Sequence, residues 1–232
     1  MAWRNWLGAG MAALALATAA GGASADERWH HGPAAPVIVA GTAEINPAAY
    51  DWVSDAGRQA LTDLAARFKA GSVAAYAFAA APGGNFWSLR SAAKASEIYN
   101  LPDLARAALQ SCEYFAHVPC FIVSISGKDA RDANGGLPVQ PVQLTDPPAE
   151  FDATAVPFVG SLDQNMLAGF GPERRPKALA ITVNGGWAWR TGDNVPAAVA
   201  QTIADCQKAY PNQVCLLYAV NNRVVFTASG PY

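Results

Sequence analysis

The sequence predicts an α+β fold made of two divergent repeats, each with a helix, a β-hairpin, a second helix, a strand and a local disulfide. Two observations predict this fold. The four cysteines fall into two close pairs, and each pair stands between a helix-period pattern and an apolar strand-like run. A glycine pair followed by aromatic residues precedes each cysteine pair, which indicates a hairpin turn and therefore an antiparallel sheet.

Residues 1–25 have the features of a secretory signal peptide. Arg4 supplies the positive start, residues 7–20 form an apolar stretch, and Ala23-Ser24-Ala25 is a small-residue cleavage site. The apolar stretch is short and interrupted for a membrane span, although an uncleaved anchor helix is the alternative. We therefore expect a periplasmic or secreted protein with no membrane span after cleavage.

Export decides how the cysteines are interpreted, because thiols in an oxidising compartment form disulfides. Four cysteines allow three pairings. The repeated local arrangement favours Cys112–Cys120 and Cys206–Cys215, each joining a helix end to the start of the next strand. A zinc site is the alternative, but His117 is the histidine nearest to these cysteines and the spacing is unlike that of zinc ligands. The sequence therefore predicts two disulfides, with no metal site and no cofactor.

The two halves of the chain share further sequence features. Gly83-Gly84-Asn85-Phe86-Trp87 and Gly185-Gly186-Trp187-Ala188-Trp189 follow strand candidates at 73–80 and 178–183, so we align Trp87 with Trp189. Further upstream, Tyr50-Asp51-Trp52-Val53-Ser54 and Val156-Pro157-Phe158-Val159-Gly160 each lead into a helical stretch. The first copy carries an insertion around 94–100.

These features divide the chain into five segments. They are the signal peptide at 1–25, a mobile mature N-terminus at 26–48, lobe 1 at 49–128, a Pro/Gly/Asp-rich connector at 129–154, and lobe 2 at 155–232. The composition of the connector fits either an ordered surface segment or a flexible linker.

The second copy resembles small exported bacterial domains, of proteobacterial type, whose function is unknown. The resemblance rests on Lys177-Ala178-Leu179-Ala180, the Gly185 to Trp189 motif, an alanine-rich helix ending in Cys206, and Cys215-Leu216-Leu217-Tyr218-Ala219-Val220. It covers 155–227 well and 50–127 loosely. It implies a hairpin–helix–strand unit with one local disulfide and an exported location, and it implies no catalytic residue.

Composition and motifs exclude several classes of function. A formal net charge of −2 gives no basic surface for nucleic acid. The sequence has no nucleophile elbow, no Walker A loop, no dinucleotide-binding glycine motif and no zinc-protease helix. Ser91-Ala92-Ala93-Lys94 is an S-x-x-K string, and it carries the alternative hypothesis of a small cell-wall-acting or other hydrolase using Ser91 and Lys94.

The aromatic residues are the better candidates for a binding surface. Strand alternation places Trp187 and Trp189 on one face, where they form part of the core or, with Trp87 and Arg190, an exposed groove for a protein, peptide or glycan. His30 and His31 are a weaker possibility as metal ligands. The sequence thus favours a non-catalytic binding or structural module.

Overall fold

The computed structural model describes residues 35–38, 41, 43–93, 101–132 and 134–228. These residues belong to one compact unit and form helices with two four-stranded antiparallel sheets, which confirms the predicted α+β class. The predicted signal peptide lies outside the described residues. Within the described part of the chain, no helix has both the length and the apolar character that crossing a membrane requires.

Lobe 1 places one helix on each face of its sheet. Its elements are α1 (Asp55–Lys69), β1 (Ala75–Ala80), β2 (Trp87–Ala92), α2 (Leu101–Ala116), β3 (Phe121–Ile125) and β4 (Lys128–Asp129). The strands lie in the order β2-β1-β3-β4. Helix α1 begins at Ser54, whose side chain accepts a hydrogen bond from the Gly57 backbone N–H, as N-cap serines do.

Lobe 2 repeats this order of elements. Its elements are α3 (Ser161–Leu167), β5 (Lys177–Thr182), β6 (Trp187–Thr191), α4 (Val195–Ala209), β7 (Cys215–Val220) and β8 (Arg223–Val224). The strands lie in the order β6-β5-β7-β8. Asn194 caps α4 through its side chain, and a proline stands in the first turn, where its missing N–H costs nothing.

The register of the two sheets defines which residues occupy the same structural position. The central strand of each sheet carries a bulge, between Phe78 and Ala79 in lobe 1 and between Leu179 and Ala180 in lobe 2. The segment before each lobe also forms an isolated bridge to the last strand of that lobe, Glu44 with Lys128 and Glu150 with Arg223. The two lobes can therefore be matched residue by residue from hydrogen-bonded pairs alone.

Alternation along β1 explains how lobe 1 packs. Ala75, Ala77 and Ala79 belong to the core cluster that α2 covers, and the small side chains let that helix approach closely. Tyr76 and Phe78 belong to the other cluster, which α1 covers. The structure contains both predicted disulfides, Cys112–Cys120 and Cys206–Cys215, each tying the end of a helix to the start of a strand.

Helix α2 is buried between the two lobes, although it carries many polar residues. Asp103, Gln110, Ser111 and Glu113 are all buried. Each of these side chains hydrogen-bonds to the backbone of lobe 2 or of the connector, so each keeps at least one polar partner when burial removes it from water. Helix α2 therefore holds the two lobes together.

Parts of the N-terminal segment and of the connector are also held in place. The Val37 N–H donates to Gln140 Oε1, and Gln140 Nε2 donates to the Val37 carbonyl, both at 2.8 Å. Glu113 Oε2 accepts hydrogen bonds from the backbone N–H groups of Gln143 at 3.0 Å and Leu144 at 2.7 Å. The described part of the connector therefore fits an ordered surface segment better than a flexible linker.

Candidate functional site

A cleft of about 490 Å³ opens at the end of lobe 1 that carries the hairpin turn and the disulfide. We call it the Tyr50 cleft. Its main lining residues are Tyr50, Trp52, Pro82, Phe121, Arg131 and Leu137. Trp52, Phe121 and Arg131 are half-buried, so the cleft presents aromatic surface and a cation to solvent.

The local sequence brings the walls of the Tyr50 cleft together. Tyr50 follows a 3₁₀ helix (Pro47–Ala49) that is capped by Asn46. Gly84 in the hairpin turn lies against the backbone of Trp52, where a Cβ would come within 2.0 Å of the Trp52 carbonyl oxygen at a φ of +69°. Only glycine fits this approach and this conformation, so it fixes the turn on Trp52.

A network of three side chains orients the cation. The Tyr50 hydroxyl donates to Asp129 Oδ1 at 2.5 Å, and Arg131 donates to Asp129 Oδ2 through Nη2 at 2.5 Å. The guanidinium carbon of Arg131 lies 4.6 Å from the centre of the Tyr50 ring. A carboxylate partner thus holds the Arg131 guanidinium over an aromatic ring.

The same network sets the charge state of the site. Burial alone would raise the pKa of Asp129, but hydrogen bonds from Arg131 and Tyr50 outweigh it and lower that pKa. Burial, together with the hydrogen bond to Asp129, raises the pKa of the Tyr50 hydroxyl well above its ordinary value. At neutral pH the site therefore holds a neutral phenol and a compensated ion pair, which suits binding better than proton transfer.

The corresponding positions of lobe 2 are identified by matching backbone contacts. The turn glycines Gly84 and Gly185 approach the carbonyls of Trp52 and Phe158 respectively. Ala130 and Val225, which follow the last strands, match because their N–H groups donate to the equivalent carbonyls of Val123 and Tyr218. Four cleft residues thereby acquire counterparts: Trp52 with Phe158, Pro82 with Val183, Gly83 with Asn184, and Arg131 with Phe226.

In lobe 2 three of these counterparts, Phe158, Val183 and Phe226, are buried under α2. Gln110 Oε1 accepts from the Phe158 N–H at 2.8 Å, and Ser111 Oγ donates to the Val183 carbonyl at 2.7 Å. The Tyr114 ring lies 5.8 Å from Phe158 and 6.4 Å from Phe226, measured between ring centres. The surface that forms an open cleft in lobe 1 is thus a helix-binding surface in lobe 2.

Arg90 adds to this internal contact. From β2 its Nη2 donates to Ser111 Oγ and to the Val183 carbonyl, and Nη1 donates to Asn184 Oδ1 at 3.3 Å. Burial lowers the pKa of Arg90 to about 10, which still leaves it charged at neutral pH. The helix and the neighbouring strand of lobe 1 therefore dock on lobe 2 together.

The structure places the three tryptophans of the predicted groove in two different cores. Trp87 stacks on Phe78 at 5.7 Å. Trp187 and Trp189 do share one face, as alternation predicts, and both pack against the core of lobe 2. Trp187 Nε1 donates to Asp163 at 3.1 Å, and Trp189 lies 6.2 Å from Phe170 between ring centres.

Arg190 lies on the opposite face of β6 from these tryptophans. Its Nε is 2.5 Å from Asp205 Oδ2 on α4, and its side chain is 57% exposed. The odd and even positions of a strand face opposite ways, so Arg190 and the tryptophans do not line one groove.

The strand register corrects the alignment of the tryptophans. Trp87 pairs with Ala80 and Trp187 with Ile181, and these two central-strand residues are equivalent. Trp87 therefore corresponds to Trp187 rather than to Trp189. Two offsets of one residue cause the difference. Gly84 rather than Gly83 matches Gly185, and the first hairpin turn is one residue longer, with Ala81 bonding to Phe86 where Thr182 bonds to Gly186.

The other sequence candidates are separate from the Tyr50 cleft. Ser91 is exposed on β2, paired with Tyr76 across the sheet. Lys94, His30 and His31 lie outside the described residues. His117 has a positive φ of 55° inside the first disulfide loop. Among the described residues no group of three or more His, Cys, Asp or Glu side chains is placed to hold a metal ion.

Sequence reasoning did not find Asp129 and Arg131. Both lie in the segment 129–154, whose composition identifies it as a connector. Tyr50 and Trp52 stand at the start of a repeat in the sequence, and their match with Val156 and Phe158 is the signal that points to this site. Comparison with known proteins adds no candidate, because no family model, no curated protein and no solved structure matches the chain.

Proposed function

We propose that this protein is an exported, non-catalytic binding module whose Tyr50 cleft receives an α-helical segment of a polypeptide. The observation that carries the proposal is the occupied counterpart in lobe 2, where α2 covers Phe158, Val183 and Phe226. Binding of an amphipathic helix in an apolar groove is a common mode of peptide recognition. Lobe 1 has the same fold and leaves the equivalent surface open, which supports a helix as its ligand as well.

The backbone of the cleft supports a helix as the ligand. In lobe 2, α2 satisfies the Phe158 N–H and the Val183 carbonyl. Within the described part of the chain, no hydrogen bond reaches the equivalent Trp52 N–H or Pro82 carbonyl. A helix carrying an acceptor at one position, a donor at the next and a large side chain three further on would satisfy both groups, as Gln110, Ser111 and Tyr114 do.

The side chains of the cleft support a mixed apolar and polar contact. Trp52 and Phe121 offer flat apolar surface, and neighbouring Phe86 is 48% exposed. Arg131 is already oriented by Asp129 and Tyr50, so a ligand pays little side-chain entropy to use its remaining donors. Aromatic residues and arginine are the residue types that most often dominate binding energy in protein interfaces.

The exported location is part of the proposal. Two disulfides are typical of proteins from oxidising compartments. Residues 1–25 have the pattern of a cleaved signal peptide. Together they support a periplasmic or secreted protein, and the partner is then a protein or peptide of that compartment.

The test uses a peptide copy of α2 as the probe. A fluorescein-labelled peptide of residues 101–116 carrying Cys112→Ser is titrated with the purified protein, and its fluorescence anisotropy is recorded. We expect saturable binding that Trp52→Ala weakens about 30-fold, which corresponds to roughly 2 kcal/mol for an aromatic anchor. Pro82→Arg, at an exposed turn position, is a second cleft variant that leaves the core intact.

The controls separate helix binding from other activities. A scrambled peptide should not bind, and Met166→Ala, an exposed residue of lobe 2, should leave the affinity unchanged. Absence of binding to the α2 peptide, together with Trp52-dependent binding of peptidoglycan or chitin oligosaccharides, would make the cleft a glycan site. Hydrolysis of such an oligosaccharide that is lost on Ser91→Ala would instead support the alternative hydrolase hypothesis.

A further inference from the structure

We propose that the helix received by the Tyr50 cleft is α4 of a second copy of this chain, so that molecules associate head to tail. This inference rests on the proposed function, because it names the polypeptide that the cleft binds. It is argued from the contact between the two lobes, which the same surfaces would repeat between molecules.

Helix α4 is the counterpart of α2, and its outer face has no lobe to cover. The disulfide cysteines and the proline of the first turn match the two helices, Leu101-Pro102 with Val195-Pro196 and Cys112 with Cys206. Where α2 contacts lobe 2, Gln110 is buried and Arg106 and Tyr114 are half-buried. Their counterparts on α4, which are Ala204, Ala200 and Lys208, are exposed.

Arg190 occupies the same place beside α4 that Arg90 occupies beside α2. Arg90 pairs with Ala77 across its sheet, and Arg190 pairs with the equivalent Ala178. Arg90 donates to Ser111 on α2 and also to the Val183 carbonyl of lobe 2, so it joins the helix to that lobe. Arg190 contacts Asp205, the counterpart of Ser111, and its remaining donors are available to the Pro82 carbonyl of a second molecule.

The contacts of α4 with the cleft would differ from those of α2 with lobe 2, because Ala204 has no acceptor for the Trp52 N–H where Gln110 has one, and Arg190 takes the place of the Ser111 donor. Small side chains at Ala200 and Ala204 allow α4 to approach the flat Trp52 ring closely. Docking as in lobe 2 places Lys208 where Tyr114 stands, against the Trp52 ring, which attracts a cation, and beside Arg131, whose charge Asp129 compensates. Exposed Asp51 and Asp132 flank the cleft and oppose the positive charges of Lys208 and Arg190.

This contact differs from an ordinary symmetric dimer. A cleft on one molecule binds α4 of the next, so an open chain of molecules keeps one free cleft at one end and one free α4 at the other. Such a heterologous contact closes into a ring or extends into a filament, depending on the rotation between successive molecules. The number of molecules therefore rises with concentration unless one of the two surfaces is blocked.

The experiment blocks each surface separately in the full-length mature protein. Ala204→Arg adds a long charged side chain to the exposed face of α4, and Pro82→Arg does the same at the rim of the cleft. Ala66→Arg, on the exposed face of α1, is the matched control. Circular dichroism and thermal melts confirm that all three variants fold, and sedimentation velocity is recorded from about 1 to 200 μM, the range of weak contacts.

We expect the wild type and Ala66→Arg to associate increasingly with concentration. Ala204→Arg and Pro82→Arg should each remain monomeric, and an equimolar mixture of the two should stop at a 1:1 dimer, because one cleft and one α4 remain intact. A symmetric dimer gives no such rescue. Monomers in every sample would overturn the inference. If the α2 peptide still binds the cleft in that case, the proposed function stands; if it does not, both fail.

Discussion

Tyr114 offers the most direct test of how α2 joins the two lobes. Its ring contacts Phe158 and Phe226 of lobe 2, edge-on and stacked respectively. Each aromatic pair contributes about 1 kcal/mol beyond burial, and truncating a half-buried ring removes roughly another 1–2 kcal/mol of apolar burial. Tyr114→Ala should therefore lower the free energy of unfolding by about 3 kcal/mol.

The assay is urea unfolding followed by circular dichroism and by tryptophan fluorescence. Lys208→Ala is the matched control, because Lys208 is the exposed counterpart of Tyr114 on α4. Its effect should stay within about 0.5 kcal/mol, as expected of an exposed position. Coincident transitions in the two signals are required before the free energies are compared.

Two results would refute this reasoning. A cost below about 1 kcal/mol for Tyr114→Ala would mean that the ring contacts with lobe 2 add little to the fold. An equal cost for Lys208→Ala would mean that the outer faces of α2 and α4 are in similar surroundings. Either result would also remove the basis for treating the Tyr50 cleft as the open form of the surface in lobe 2.

Three further predictions concern the disulfides, the buried Glu113 carboxyl and the predicted signal peptide. Replacing both cysteines of Cys112–Cys120 or of Cys206–Cys215 with alanine should lower the free energy of unfolding by about 2.5 kcal/mol in each case, because the loops span 8 and 9 residues. A difference of more than about 1.5 kcal/mol between the two variants in urea unfolding would contradict this entropy argument. Burial raises the pKa of Glu113 above its ordinary value of 4.5, so its contribution to stability is full below that value and is lost as pH rises through the raised pKa. The stability difference between wild type and Glu113→Gln should therefore fall as pH rises, and a pH-independent difference in urea titrations would argue against it. The intact mass of the exported protein should lack residues 1–25 and four hydrogens; a leader still attached, or free thiols, would count against export with oxidation.

Much of the fold was predictable because its signals are local. Glycine pairs between strand-like runs predict the hairpins, and cysteines at helix ends predict the disulfides. The alignment of Trp87 with Trp189 was wrong by two positions, one because Gly84 rather than Gly83 matches Gly185, and one because the first turn has an extra residue. A motif comparison cannot detect this shift, whereas the register of hydrogen-bonded pairs does.

The Tyr50 cleft was not predictable because its parts meet through long-range contacts. Tyr50 and Asp129 are 79 residues apart, and neither has a local pattern that indicates the other. Composition placed Asp129 and Arg131 in a connector, where charged residues are ordinarily solvated. The pairing of β4 with β3, and of residues 43–45 with 127–129, brings them beside Tyr50.

The differences between equivalent positions argue that the Tyr50 cleft is more than an uncovered end of the fold. Where α2 covers lobe 2, the structure has the apolar residues Phe158, Val183 and Phe226, all buried. A surface that only needs to end a stack of repeats is expected to be polar throughout. Lobe 1 keeps an aromatic residue at Trp52 and has Arg131 in place of the third apolar residue, oriented by two buried partners. Aromatic surface with a fixed cation is the composition of a contact that forms and dissociates in water, and this is the strongest reason to test it as a binding site.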